Sequence, residues 1–306
     1  MKPTGTPVWI DLLDPTREQI AQVSQQCALQ VPTREALQEI EASSRLRSDG
    51  HALYLSMPLA AHHESQSMQP VPLGFVLTPQ LVVTVRFGEV TVLDQVKTRF
   101  AEQPPPDSAT AFVTIIEALV DGGADMLEAF GGQLGQMSTE IFRQPELVHG
   151  RDKRYARGLR KRLSEVGALG DDLSQLRQTL LGLQRIVAFV GERAVGGFSD
   201  DATHRLRTAA ADLVSLVEFE IHLTDKAQFL LDAILGYITT EQNDIFRVLT
   251  IVSIAGIPPT LIASLYGMNF ELMPELHWRY GYPFALALIL TSVLLPVLWF
   301  KRRGWW

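Results

Sequence analysis

The chain has a single cysteine, Cys27, in 306 residues. That excludes an internal disulfide and any zinc cage built on several thiolates. The amino-terminal stretch MKPTGTPVWIDLLDP has no long apolar run behind its lysine. No signal peptide is expected there, and the bulk of the chain is expected in the cytoplasm. The first hundred residues contain no phosphate loop and no clustered nucleophile and base. Positive charge is in deficit, with 27 Lys and Arg against 34 Asp and Glu and a net charge of −7. A nucleic-acid partner is therefore not expected. Proline is scarce in the middle of the chain, where only Pro145 falls between Pro106 and Pro258.

Apolar residues are not scarce. They make up 46% of the chain, and the mean hydropathy of +0.09 is high for a soluble protein of this length. The first 105 residues read as a mixed α/β domain. Strand-like runs lie at Val8 to Pro15, Ala52 to Ala60 and Gly74 to Phe87, bounded by the turn formers Asp49-Gly50 and Pro79-Gln80. Thr16 to Gln26 and Thr33 to Ala42 look helical. From Pro106 the apolar residues recur at three and four. Long helices are expected over Asp107 to Arg143, Arg151 to Val195 and Asp201 to Met268, with Gly196-Gly197 breaking the last two. At a rise of ~1.5 Å per residue the third helix would reach on the order of 100 Å, too long for a globular domain. It reads as a stalk, expected over residues 201–268, after an antiparallel helix pair over 106–200.

Two uncharged segments close the chain, Val248 to Tyr266 and Pro283 to Phe300. Each meets the length needed to cross a bilayer. Residues 248–268 and 283–300 are therefore expected to cross, with 269–282 as an outer loop and 301–306 as a basic tail. The tail Lys301-Arg302-Arg303-Gly304-Trp305-Trp306 places itself, and with it the amino terminus, in the cytoplasm by the positive-inside rule. Trp305 and Trp306 would anchor it at the interface. The alternative is a soluble protein with two buried core helices. The fold class expected is an α+β membrane protein with a cytoplasmic α/β domain, a helical stalk and two carboxy-terminal transmembrane helices.

Two helices cannot enclose a pathway, so a transport role demands an oligomer. Thr250, Ser253, Ile257, Thr260 and Ser264 share one helical face, with Asn243, Phe246, Thr239 and Asp232 upstream and Leu249 at its border. Small hydroxyl residues suit close backbone approach or a narrow wet lumen. Alternatively, each hydroxyl simply returns to the carbonyl one turn back. Pro258-Pro259 removes two backbone donors in the same stretch. Asp232 is either a metal-occupied gate in an axial acidic ring or a partner of Lys226 or of another subunit. His62-His63-Glu64 looks metal-like but lies in a polar, loop-like run, and the basic run Arg151, Lys153, Arg154, Arg157, Arg160, Lys161, Arg162 reads as a solvated helix face.

The first crossing ends in Tyr266-Gly267-Met268-Asn269-Phe270, followed by Met273-Pro274-Glu275-Leu276 and then Gly281-Tyr282-Pro283. This pattern resembles the signature of the CorA family of magnesium and cobalt transporters, and the match is strong from Asp232 to Trp306. The resemblance implies a homopentamer in the bacterial inner membrane that passes Mg²⁺, and also Co²⁺ or Ni²⁺, with cytoplasmic Mg²⁺ holding it closed and no other cofactor. It implies an outer mouth at Gly267, Met268 and Asn269, where the amide ring receives the hydrated ion. It further implies pore positions at Thr260, Ile257, Leu249 and Asn243, and an acidic ring at Asp232. Thr208 stands where a regulatory carboxylate is expected. Mg²⁺ releases its water reluctantly, so amides that accept hydrogen bonds from that shell suit conduction better than five carboxylates would. Glu271 and Glu275 would concentrate cations as a diffuse field. A zinc importer on the same scaffold and a membrane-anchored enzyme or sensor are the competing readings.

Overall fold

The computed structural model describes residues 7–39, 41, 45–62, 68–142, 153–193, 197–268 and 273–304. It divides into two compact units, Met1–Asp232 and Ala233–Trp306.

In the first unit, β1 (Trp9–Leu13), β2 (Leu46–Ser48), β3 (Leu53–His62), β4 (Met68–Leu77) and β5 (Val82–Arg86) form one sheet in the order β1-β5-β4-β3-β2. β1 runs parallel to β5 and every other pair is antiparallel. Side chains alternate across the strands, so the two faces carry different cores. Val76, Val83 and Val85 pack on one face with Ile20 of α1 (Arg17–Cys27) and Leu37 of α2 (Arg34–Leu37). Thr16 starts α1 through a reciprocal capping box with Gln19.

The opposite face carries the long helices α4 (Ser108–Phe142) and α5 (Lys153–Arg193), reached through α3 (Thr91–Glu102). Phe75 of β4 meets Phe112 of α4 edge-on at 5.8 Å between centroids. Gly182 of α5 lies so close to β3 that a Cβ there would come within 2.9 Å of the Met57 Cβ. The helix pair thus completes the sheet's core, and the change of texture near Pro106 marks a new layer of the same unit.

One strand and the first half of another went unrecognised in the sequence. β2 has only three residues, and the first half of β4, Met68 to Pro72, carries two prolines that argue against a strand. The structure shows why they are tolerated. Pro58 faces Pro72 across the ladder, and the Pro72 carbonyl accepts from Phe87 N–H at 3.4 Å. Helix α5 then supplies polar partners to this part of the sheet. Ala60 N–H donates to Thr179 Oγ1 at 2.7 Å, and Met68 N–H donates to Asp172 Oδ1 at 3.0 Å.

Helix α6 (Asp200–Tyr266) runs 67 residues. Within the first unit it buries Leu206, Leu213, Leu223 and Leu230. Glu220 falls on the same stripe and is only 1% exposed. It accepts from Thr224 Oγ1 at 2.7 Å and lies 3.3 Å from Arg177 of α5. Arg205 of α6 forks onto Glu117 of α4, with Nε donating at 2.9 Å, and also reaches Thr114. These polar ties fix the register of α6 against the helix pair.

The second unit comprises the remainder of α6, a 3-10 turn at Pro274–His277 and α7 (Gly281–Arg302). Helices α6 and α7 are each long and apolar enough to cross a membrane.

Candidate ion pathway

Asn243, Phe246, Leu249, Thr250, Ser253, Ile257, Thr260 and Ser264 all lie on α6, whose helical conformation continues through Pro258 and Pro259. Spacings of three and four bring them to one face. Phe246, Leu249 and Ile257 are 64%, 59% and 65% exposed in the single chain. Their covering must come from outside the protomer.

The threonine hydroxyls on this stripe return to the carbonyl one turn back, as the local alternative has it. Thr250 donates to the Phe246 carbonyl and Thr260 to the Gly256 carbonyl, both at 2.8 Å; Thr239 does the same to Leu235. Each oxygen still keeps lone pairs to accept a hydrogen bond from a water or a hydrated ion. With proline at 258 and 259, the carbonyls of Ile254 and Ala255 lose the amide donors that an α-helix would supply. In hydrocarbon such groups would be costly, whereas beside water they become acceptors.

Helix α6 stops at the glycine of the YGMN sequence. Gly267 N–H donates to the Ala263 carbonyl at 3.0 Å, and a Cβ on Gly267 would approach that same oxygen to 3.2 Å. The tight closure gives a local reason for glycine here. Met268 follows and is exposed. Asn269 and Glu271 lie outside the described residues, as do Trp305 and Trp306; Glu275 belongs to the 3-10 turn, but its side chain is also outside them.

Asp232 is exposed and accepts a hydrogen bond from Gln228 Nε2 at 3.1 Å, rather than pairing with Lys226. Among the described residues no group of three or more His, Cys, Asp or Glu is placed to hold a metal within one chain. His62 ends β3 opposite Met68, whereas His63 and Glu64 lie outside the described residues. In the basic run, Arg151 and the side chains of Lys153 and Arg154 are also outside them. Arg162 pairs with Glu140 and Glu165, and Lys161 pairs with Glu165, while Arg160 is exposed. Thr208 donates to the carbonyl of His204.

One group went unnoticed in the sequence. Glu117, Asp121 and Asp125 stand four apart on α4 and face Asp212 of α6. Burial first, and then repulsion from those three carboxylates, raises the pKa of Asp121 above the usual aspartate value. The wall is next to a cavity of about 500 Å³ that Glu89 and Arg99 also line. The i, i+4 spacing was the available signal.

A sheet-and-helix unit feeding a long helix, with two candidate crossings at the carboxy terminus, defines an α+β membrane protein. The chain belongs to the family described as CorA-like Mg²⁺ transporter protein, whose model matches residues 4–302. It is therefore grouped with ion transporters and not with enzymes. It is 31% identical over 308 residues to the magnesium transport protein CorA of Escherichia coli, covering 99% of this chain and 93% of that one. It is 30% identical over 311 residues to the protein of the same description from Wolinella succinogenes, covering 99% and 92%. Among solved structures, the CorA magnesium transporter from Methanocaldococcus jannaschii superposes with a TM-score of 0.77 at 17% identity, over 97% of this chain and 91% of that one. The ZntB cytoplasmic domain from Vibrio parahaemolyticus gives 0.58 at 13% identity, over 77% and 89%. At such identities the structures speak to the fold alone.

Proposed function

We propose that this chain is one subunit of a homopentamer that conducts Mg²⁺ into the cytoplasm along an axis lined by α6. The observation that carries it is the single face running from Asn243 to Ser264, polar at intervals, uncovered in the protomer and ending at Gly267-Met268-Asn269. Family membership and the transport named for the relatives support Mg²⁺ as the principal ion; acceptance of Co²⁺ and Ni²⁺ is part of the proposal. Both termini are cytoplasmic and the membrane is the bacterial inner membrane. The membrane potential drives entry, a divalent ion gaining about 4.6 kcal/mol per 100 mV.

The division of labour follows from the chemistry. Asn269 amides receive the hydrated ion at the mouth, and Glu271 and Glu275 attract it there. Thr260, Ser253, Thr250 and Asn243 offer oxygens to its water shell. Ile257, Leu249 and Phe246 close the path by dewetting. Below them the Asp232 carboxylates form the inner ring. Regulatory Mg²⁺ from the cytoplasm completes the scheme. Its site is proposed to lie between subunits.

The test is flux into proteoliposomes under an inside-negative potential. Mg²⁺ entry should be rapid and poorly inhibited by equimolar Zn²⁺. Preferential Zn²⁺ entry would move the chain to the zinc-importing branch of the same scaffold. No entry of either ion would remove the proposal.

A further inference from the structure

Second-unit residues between the 3-10 turn and α7 form a compact group that ion transport leaves unused. Trp278 packs edge-on against Tyr280 at 6.1 Å and, tilted, against Phe284 at 5.8 Å. The Arg279 guanidinium lies over the Tyr280 ring at 5.8 Å. The backbone holds the group in place, with Gly281 N–H bonded to the Trp278 carbonyl at 2.9 Å and Phe284 N–H to that of Tyr280 at 3.0 Å. Despite this mutual packing, Trp278, Tyr280 and Tyr282 remain 52%, 58% and 77% exposed. Large exposed aromatics clustered around one cation mark an interaction surface.

Its sign is unexpected. In the proposed topology this loop faces incoming dications, which Arg279 repels. The position also runs against the usual concentration of basic residues on the cytoplasmic side. A cation kept there calls for an anion. The group lies where α7 begins its apolar run, so it is continuous with the surface that lipid would cover. Amphipathic rings favour the headgroup level, and guanidinium forks match phosphate oxygens. Helix α7 repeats the arrangement at its other end, where Arg303 lies over Trp299 at 4.9 Å and Trp299 packs on Phe300.

We infer that Trp278, Arg279 and Tyr280 form a phospholipid site in the outer leaflet, with Arg279 holding the headgroup phosphate and the rings covering the glycerol and first methylenes. This fixes the depth of α7 beside the proposed mouth. The inference rests on the membrane topology proposed above, but not on which ion is carried.

Native mass spectrometry of the full protein, released from nanodiscs made with phosphatidylethanolamine, tests it. The wild type should retain phospholipid through collisional activation. Arg279→Gln should lose at least one retained lipid per subunit, Arg279→Lys should keep most of it, and Trp278→Leu should give an intermediate loss. Thermal stability in detergent should rise with added phospholipid in the wild type, less so in Arg279→Gln, and not with inorganic phosphate. Equal lipid retention by wild type and Arg279→Gln overturns the site. So does an unchanged lipid count with a dissociated oligomer, which would assign Arg279 to a carboxylate of a neighbouring copy. Retention of no lipid by any variant would instead overturn the topology beneath it.

Discussion

Asn269→Ala is expected to bring Mg²⁺ entry into proteoliposomes down to the level of empty vesicles while leaving the oligomer intact. Hydrated Mg²⁺ offers water protons outward, and a mouth that admits it needs neutral acceptors at the right distance. An asparagine amide supplies an acceptor without a full charge, so the ion is recognised and then released. Alanine supplies neither acceptor nor size. Aspartate at 269 should bind more tightly and conduct more slowly. Gly267 stands two residues earlier, and its closure onto the Ala263 carbonyl leaves little room for a Cβ there. Transport at the wild-type rate by Asn269→Ala would place the selecting step elsewhere on α6. The readout is initial flux of a Mg²⁺-sensitive dye at equal protein per vesicle.

Arg86→Leu should produce the largest loss of stability of any single change in the sheet. Arg86 is 1% exposed and donates to Asp11 through Nε at 3.2 Å and Nη2 at 2.8 Å. It also reaches the Val90 carbonyl at 3.1 Å and the Asp94 carboxylate. Asp11 is itself 4% exposed and accepts from Thr84 Oγ1 at 2.7 Å, which in turn accepts from the Trp9 indole. The network ties β1, β5 and α3 together. Removing the cation strands the Asp11 carboxylate, at a cost of about 3–5 kcal/mol. A second change, Asp11→Leu, should recover much of that loss, since an apolar pair can replace a buried ion pair. Thermal unfolding of the full chain in detergent, followed by near-ultraviolet circular dichroism, reads both. If Arg86→Leu melts with the wild type, the network is incidental.

The features legible in the sequence were those whose physics is local or periodic. Uncharged runs at 248–266 and 283–300 announced α6 and α7 as candidate crossings, because a bilayer dictates length and hydropathy directly. The stripe from Asn243 to Ser264 followed from helical period alone. The Tyr266-Gly267-Met268-Asn269 pattern pointed to the family that the comparisons then showed. What remained hidden depends on contacts far apart in the chain. Nothing near Met68 reveals that Asp172 will satisfy its amide, so Pro70 and Pro72 argued wrongly against a strand. Nothing near Arg86 reveals that Asp11, 75 residues away, will close around it. Glu220 occupies an apolar register position that only Arg177 and Thr224 make acceptable.

Helix α6 presents a candidate pathway face that a single protomer leaves uncovered. Thr250 and Thr260 bond within their own helix, and Ile257 and Leu249 face open space. Such a face acquires meaning only from what surrounds it. Water or lipid is the question.

Cysteine accessibility in the membrane answers it most directly. With Cys27→Ser as background, Ser253→Cys and Thr260→Cys are placed singly, and a positively charged, water-soluble thiol reagent is applied to proteoliposomes while Mg²⁺ flux is recorded. Helices that share a hydrated axis predict modification at both positions and a block of flux. Unmodified thiols with flux undiminished, or labelling only by a lipid-soluble reagent, would show that this face looks toward acyl chains and that the ion travels elsewhere.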